Sequence, residues 1–134
     1  MAKVALLLQT SYYDQAGKLT AKTAYEADAA YYQDDNFYYL DYFLAADIKC
    51  AYQLAYNKEE FLIKGRSEKQ NINIYGSGNK GSIKILTAAG EIRQDFIITH
   101  YQVDSTGLLV AYQIYDSAKT WSSVSYKVTI EKEK

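Results

Sequence analysis

In the second half of the chain, apolar and polar positions alternate with a period of two. In "WSSVSYKVTI" (121–130), Val124, Tyr126, Val128 and Ile130 share one face, and Ser123, Ser125, Lys127 and Thr129 share the other. That is the signature of a strand with one buried and one wet side. "KGSIKIL" (80–86), "EIRQDFIITHYQV" (91–103) and "LLVAYQIYD" (108–116) precede it, separated by "TAAG", "DSTG" and "SAKT". Four turn-forming residues suit antiparallel hairpins. A parallel crossover needs roughly a dozen residues or more, and there is no room for one. Segment 108–116 is apolar on both faces, which predicts a central strand.

The first half repeats the theme less cleanly. "KVALLLQTSYY", the turn "DQAG" and "KLTAKTAYEA" read as a hairpin with Leu19, Ala21, Thr23 and Tyr25 on one face. "CAYQLAYN" (50–57) alternates, and "EEFLIKG" and "NINIYG" add two short strands. Leu44, Ile48, Ala51, Tyr52 and Ala55 also fit helical spacing, so an α+β fold with one helix near 44–56 is the alternative. The expectation is an all-β, single-domain antiparallel β-sandwich or barrel of about nine to ten short strands, spanning 1–134. Both closures satisfy the pattern.

Tyrosine is the anomaly of composition, with 15 residues against no proline. Tyrosine favours pleated, half-buried surfaces. Without proline, the turns fall to Gly, Asn, Asp and Ser. The densest stretch is "AYYQDDNFYYLDYF" (30–43), with seven aromatic rings and three carboxylates in fourteen residues. It reads as strand, "QDDN" turn, strand. On 36–44, Phe37, Tyr39, Asp41 and Phe43 take one side, and Tyr38, Leu40, Tyr42 and Leu44 the other. A half-wet sheet buries only one of them, so one row of rings is expected at a surface, a lumen or a subunit contact. Tyr31, Tyr32, Asp34, Asp35, Asn36, Tyr38 and Tyr42 are the candidate contact residues. Rings that stack on sugar C–H groups, beside side chains that grip hydroxyls, are the chemistry of a glycan or polar-ligand site. The plain competitor is cross-strand ring pairing, which stabilises sheets by up to about 1 kcal/mol per pair.

Charge narrows the partners. Fifteen basic and sixteen acidic residues are well mixed, so nothing advertises a nucleic-acid partner. No run approaches the ~20 apolar residues of a membrane-spanning helix. The apolar run Val4–Leu8 is too short for a signal-peptide core, which makes the cytoplasm the default expectation. Cys50 is the only cysteine, so no intramolecular disulfide forms.

Catalytic motifs are weak. "GSGNKG" (76–81) matches a dinucleotide loop in letters, but "SIKIL" after it alternates as a strand, whereas that loop must open a helix. One Cys and one His cannot build the common zinc sites. His100 falls in line with Phe96 and Ile98, which predicts a core histidine, and neither it nor Cys50 sits in a nucleophile motif. Asp14, Asp34, Asp35, Asp104 and Asp116 lie in or beside predicted turns, where Asp caps its own backbone. A calcium site built from those loops is the sharper reading, without EF-hand spacing to support it. No cofactor or catalytic residue is expected. Three functions remain. The first is a non-enzymatic, lectin-like binding domain for a glycan or polar small molecule. The second is a homo-oligomeric or protein-interaction module using the same face. The third is an enzyme or an apolar-ligand barrel.

Overall fold

Ten strands follow one another along the chain: β1 (Ala2–Tyr13), β2 (Leu19–Gln33), β3 (Tyr38–Leu44), β4 (Cys50–Tyr56), β5 (Glu60–Arg66), β6 (Gln70–Ser77), β7 (Lys80–Thr87), β8 (Gly90–Asp104), β9 (Gly107–Tyr115) and β10 (Trp121–Glu133). The computed structural model describes residues 2–44, 50–115 and 121–133; Asp116 and the predicted turn 117–120 lie outside these residues. Each strand pairs antiparallel with the next, and β10 pairs with β1 to close a barrel. Closure selects the barrel over the sandwich and leaves no strand central or at an edge. Residues 50–56 are strand, so the helix alternative falls there; 45–49 lie outside the described residues. Residues 19–27 and 30–33, which the sequence pattern divides between two hairpins, belong to one fifteen-residue strand, β2.

Turn chemistry follows the sequence closely. Asp14 accepts the backbone N–H groups of Ala16 and Lys18 at 2.9 Å each. Asp34 takes those of Asn36 and Phe37 at 2.8 and 2.7 Å, and Asn57 takes those of Glu59 and Glu60. Ser67, Thr87 and Asp104 repeat the device in three further turns. In each case a short side chain satisfies a backbone donor that the ladder leaves free.

Alternation carries one face of every strand inward. Leu6, Leu40, Leu54, Tyr56, Phe61, Val110 and Val128 are the most deeply buried residues. The outer face carries the charges, such as Lys22 and Glu26 on β2 and Glu91, Arg93 and Asp95 on β8. This apolar-in, polar-out order is the reverse of a membrane-spanning barrel. Among the described residues, no helix is long and apolar enough to cross a membrane.

Two features make a ten-strand lumen packable. The first is a match of glycine and ring. Gly65 pairs across the ladder with Tyr52, Gly76 with Phe61 and Gly81 with Phe96. In each pair the ring lies over the glycine, leaving no room for a Cβ. Rings too large for a crowded interior are thus accommodated inside the wall. The second is a β-bulge in β8. Ile98 pairs with Tyr112 and His100 with Ala111, so Thr99 is the extra residue. A one-residue insertion flips every later side chain to the other face. Phe96 and Ile98 point in before it, and Tyr101 and Val103 join the core after it. His100 is exposed, not in the core line where strict alternation puts it.

Candidate functional site

The two ends of the barrel are built differently. At the end bearing the β2–β3, β4–β5, β6–β7 and β8–β9 turns, tyrosines fill the interior. Tyr38 stacks on Tyr31 at 6.2 Å between ring centroids and tilts against Tyr56 at 5.5 Å. Phe61 stacks on Tyr101 at 5.8 Å, joining β5 to β8 across the lumen. The Tyr101 hydroxyl donates towards the carbonyls of Asn57 and Glu60, at 2.7 and 2.8 Å. Burial is the main cause that holds the Tyr56 and Tyr101 hydroxyls well above the usual tyrosine range. This end is a plug.

Among the described residues the opposite end is open, and the β3–β4 and β9–β10 connections at that end lie outside them. A cavity of about 350 Å³ enters the lumen there. Leu8, Ile63, Ile74 and Val110 form its walls. Tyr12 and Tyr25, 42% and 43% exposed, stand at the rim, with Thr10 and Thr23 paired below them. The floor is a pair of tyrosines from strands that do not neighbour each other, Tyr42 on β3 and Tyr126 on β10, with hydroxyls 3.5 Å apart. Tyr42 also stacks on Tyr52 at 5.4 Å. Burial raises both floor hydroxyls above the ordinary tyrosine value and pushes Tyr112 beside them up to about 12. These groups are therefore protonated donors at neutral pH. Among the described lining residues none carries a charge.

The sequence-predicted contact residues fall on both sides of the wall. Tyr31, Tyr38 and Tyr42 face inward, the first two in the plug and the third on the cavity floor. Tyr32 and the 34–36 turn face outward. There Tyr32 stacks on Tyr39 at 4.9 Å and donates to Asp41 Oδ2 at 2.9 Å. Gln53 Nε2 donates both to the Tyr32 hydroxyl and to Asp41 Oδ1, each at 3.0 Å. The Tyr39 hydroxyl donates to Asp34 Oδ2 at 2.8 Å. The N–H groups of Asn36 and Phe37, with that hydroxyl, hold the Asp34 carboxyl below its usual value. Asp35 and Asn36 are exposed. The polar tips of this outer stack are thus engaged with one another, and Phe43 beside it is 67% exposed. Among the described residues no group of three or more His, Cys, Asp or Glu is placed to hold a metal ion.

Thr10, Tyr12, Thr23, Tyr25, Tyr52, Tyr112 and Tyr126 are site residues that the sequence reading did not single out. Tyr126 already lay on the apolar face of its strand, and Tyr25 on that of its hairpin. What was missing was the closure that brings β3 opposite β10.

The geometry defines a class: an up-and-down, ten-stranded barrel, plugged at one end and, among the described residues, open at the other. No protein-family model matches this chain, and no curated protein matches it in sequence. The chain is similar in structure to the ywiB protein from Bacillus subtilis, with a TM-score of 0.70 at 14% identity, over 98% of this chain and 93% of that one. At that identity the likeness shows the fold alone.

Proposed function

We propose that this protein is a non-enzymatic binding barrel that takes a small molecule into its open end. The observation that carries the reading is the cavity of about 350 Å³ above the Tyr42–Tyr126 floor. Its size is within the ordinary range of ligand pockets, and apolar walls with a few convergent polar groups are their usual lining. Barrel mouths are a recurrent place for them. The ligand's body packs on Leu8, Ile63, Ile74 and Val110, and its polar atoms meet tyrosine and threonine hydroxyls. Of the functions the sequence allows, a lumen lined by aliphatic and aromatic side chains favours the apolar-ligand barrel over a glycan surface at the 34–36 turn.

The test is a blocking substitution. Thr23 lines the mouth opposite Thr10, so Thr23→Trp fills the entrance. Titration with 2-naphthol, followed by tyrosine fluorescence, should show saturable binding by the natural protein. It should weaken more than ~10-fold in the variant, at unchanged thermal midpoint. Equal binding by both proteins would place the probe elsewhere and end the lumen reading.

A second use of the molecule has its own support. Phe43 lies exposed near the Tyr32–Tyr39 stack, on a face whose polar groups are already paired. An exposed ring of this kind suits a protein contact, including one with a second copy of this chain.

A further inference from the structure

We infer that the lumen is built for an uncharged ligand carrying an oxygen acceptor, which it binds with that oxygen pointed inward at the Tyr42–Tyr126 pair. The inference rests on the binding reading above and specifies the chemistry of its ligand.

The first support is the composition of the wall. Polar groups in the described lining are hydroxyls only, from threonine and tyrosine; the remaining side chains are aliphatic or aromatic. A carboxylate or ammonium entering this space would leave water without a counter-charge. Burying an isolated ion costs far more than burying a neutral polar group, and hydroxyls alone offset little of that cost. On β5, which contributes Ile63 to the cavity, the charged Lys64 and Arg66 lie on the outer face, on the far side of the backbone. An inward-facing charge would be the expected equipment for an acid or an amine, and the described wall has none.

The second support is the floor. A good hydroxyl–hydroxyl bond has its oxygens about 2.7–2.8 Å apart. The Tyr42 and Tyr126 oxygens are 3.5 Å apart, the outer limit of a bond. In contrast, the Tyr101 hydroxyl in the plug reaches its carbonyls at 2.7 and 2.8 Å. Both floor rings are anchored, Tyr42 at 4% exposure against Tyr52, and Tyr126 between Val124 and Val128 on the inward face of β10. Two protonated donors are thus held near each other but too far apart to satisfy each other well. A carbonyl, ether or hydroxyl oxygen placed beside both would accept a hydrogen bond from each. This gives the ligand a direction: oxygen down, hydrocarbon towards Tyr12 and Tyr25 at the rim.

Three probes of one ring system separate the parts. Naphthalene has the body alone, 2-naphthol adds a neutral oxygen, and 2-naphthoate is an anion at pH 7. Binding of each is measured by calorimetry and fluorescence to the natural protein and to Tyr126→Phe, which keeps the ring and removes one donor. The expected order is 2-naphthol tightest, naphthalene weaker, and 2-naphthoate at least ~30-fold weaker than 2-naphthol. Tyr126→Phe should weaken 2-naphthol by ~5-fold and leave naphthalene unchanged, a split that mere loosening of the barrel would not produce. If 2-naphthoate binds as tightly as 2-naphthol, the neutral-ligand inference is overturned while the lumen reading stands. If Tyr126→Phe affects both neutral probes alike, the inward oxygen contact is overturned. If none of the three binds, the lumen reading fails and this inference fails with it.

Discussion

Adding one methyl group at Gly76 tests the way the rings are housed. Gly76 is buried on β6, directly opposite Phe61 on β5. A Cβ at that position would lie 2.5 Å from Phe61 Cε1, 2.9 Å from Phe61 Cζ and 2.9 Å from Ile98 Cδ1. Carbon atoms in contact prefer about 3.5–4.0 Å, so the methyl penetrates the ring by roughly an ångström. The ring is 2% exposed and stacked on Tyr101, so its only room to move is towards the lumen cavity that it also lines. Overpacking of this kind costs about 1–3 kcal/mol, and because the methyl meets both Phe61 and Ile98, Gly76→Ala should fall in the upper half of that range. For a domain of this length, 2–3 kcal/mol is a fall of roughly 8–10 °C in thermal midpoint. Phe61→Leu removes the two clashing ring atoms and on its own should cost about 1–2 kcal/mol, less than complete truncation. In the double variant the alanine methyl occupies the vacated space. The double cost should then be at least ~1 kcal/mol below the sum of the single costs. Urea unfolding followed by circular dichroism gives all four corners of the cycle. Strict additivity, or a Gly76→Ala variant as stable as the parent, would refute the claim that the ring of Phe61 occupies the glycine's place.

Alkali should unfold the protein through its buried tyrosines. Tyr112 has its folded pKa pushed up to about 12 from 10.0, and Tyr42, Tyr56, Tyr101 and Tyr126 are raised as well. Below pH 10 both folded and unfolded states hold these protons; above it the unfolded chain releases them first, so stability falls by about 1.4 kcal/mol per pH unit for each such group. A spectrophotometric titration at alkaline pH should show the exposed tyrosines ionising smoothly and the rest only with cooperative unfolding, whereas smooth ionisation of all fifteen with the fold intact would count against the buried set. At the outer face, Phe43→Ser should change stability by less than ~0.5 kcal/mol, because the ring is 67% exposed. Sedimentation should show natural-protein oligomers giving way to monomers in that variant; a natural protein that stays monomeric at high concentration ends the contact reading.

The strands and turns were legible because their causes are local. Period-two alternation in 121–130 is a statement about successive side chains, and the closing of a turn by Asp14, Asp34 or Asp104 involves residues two to four apart. The short connections excluded crossovers and so gave antiparallel order. Even the glycine and ring partners were present as letters, Gly76 and Gly81 beside strands carrying Phe61 and Phe96. What alternation alone cannot supply is the identity of the inner face where both rows are aromatic. On β3 the tertiary structure sends Tyr38, Leu40 and Tyr42 inward and leaves Tyr39, Asp41 and Phe43 outside, because only the first row meets the buried side chains of β4 and the far wall. The bulge at Thr99 was equally hidden: one extra residue changes the parity of all that follows, taking His100 out of the core line and putting Tyr101 into the plug. Closure was the decisive long-range event. Pairing β10 with β1 makes neighbours of the chain's two ends and brings Tyr42 to face Tyr126 across a shared interior. No local pattern encodes that meeting, since it depends on how ten strands sum around a ring.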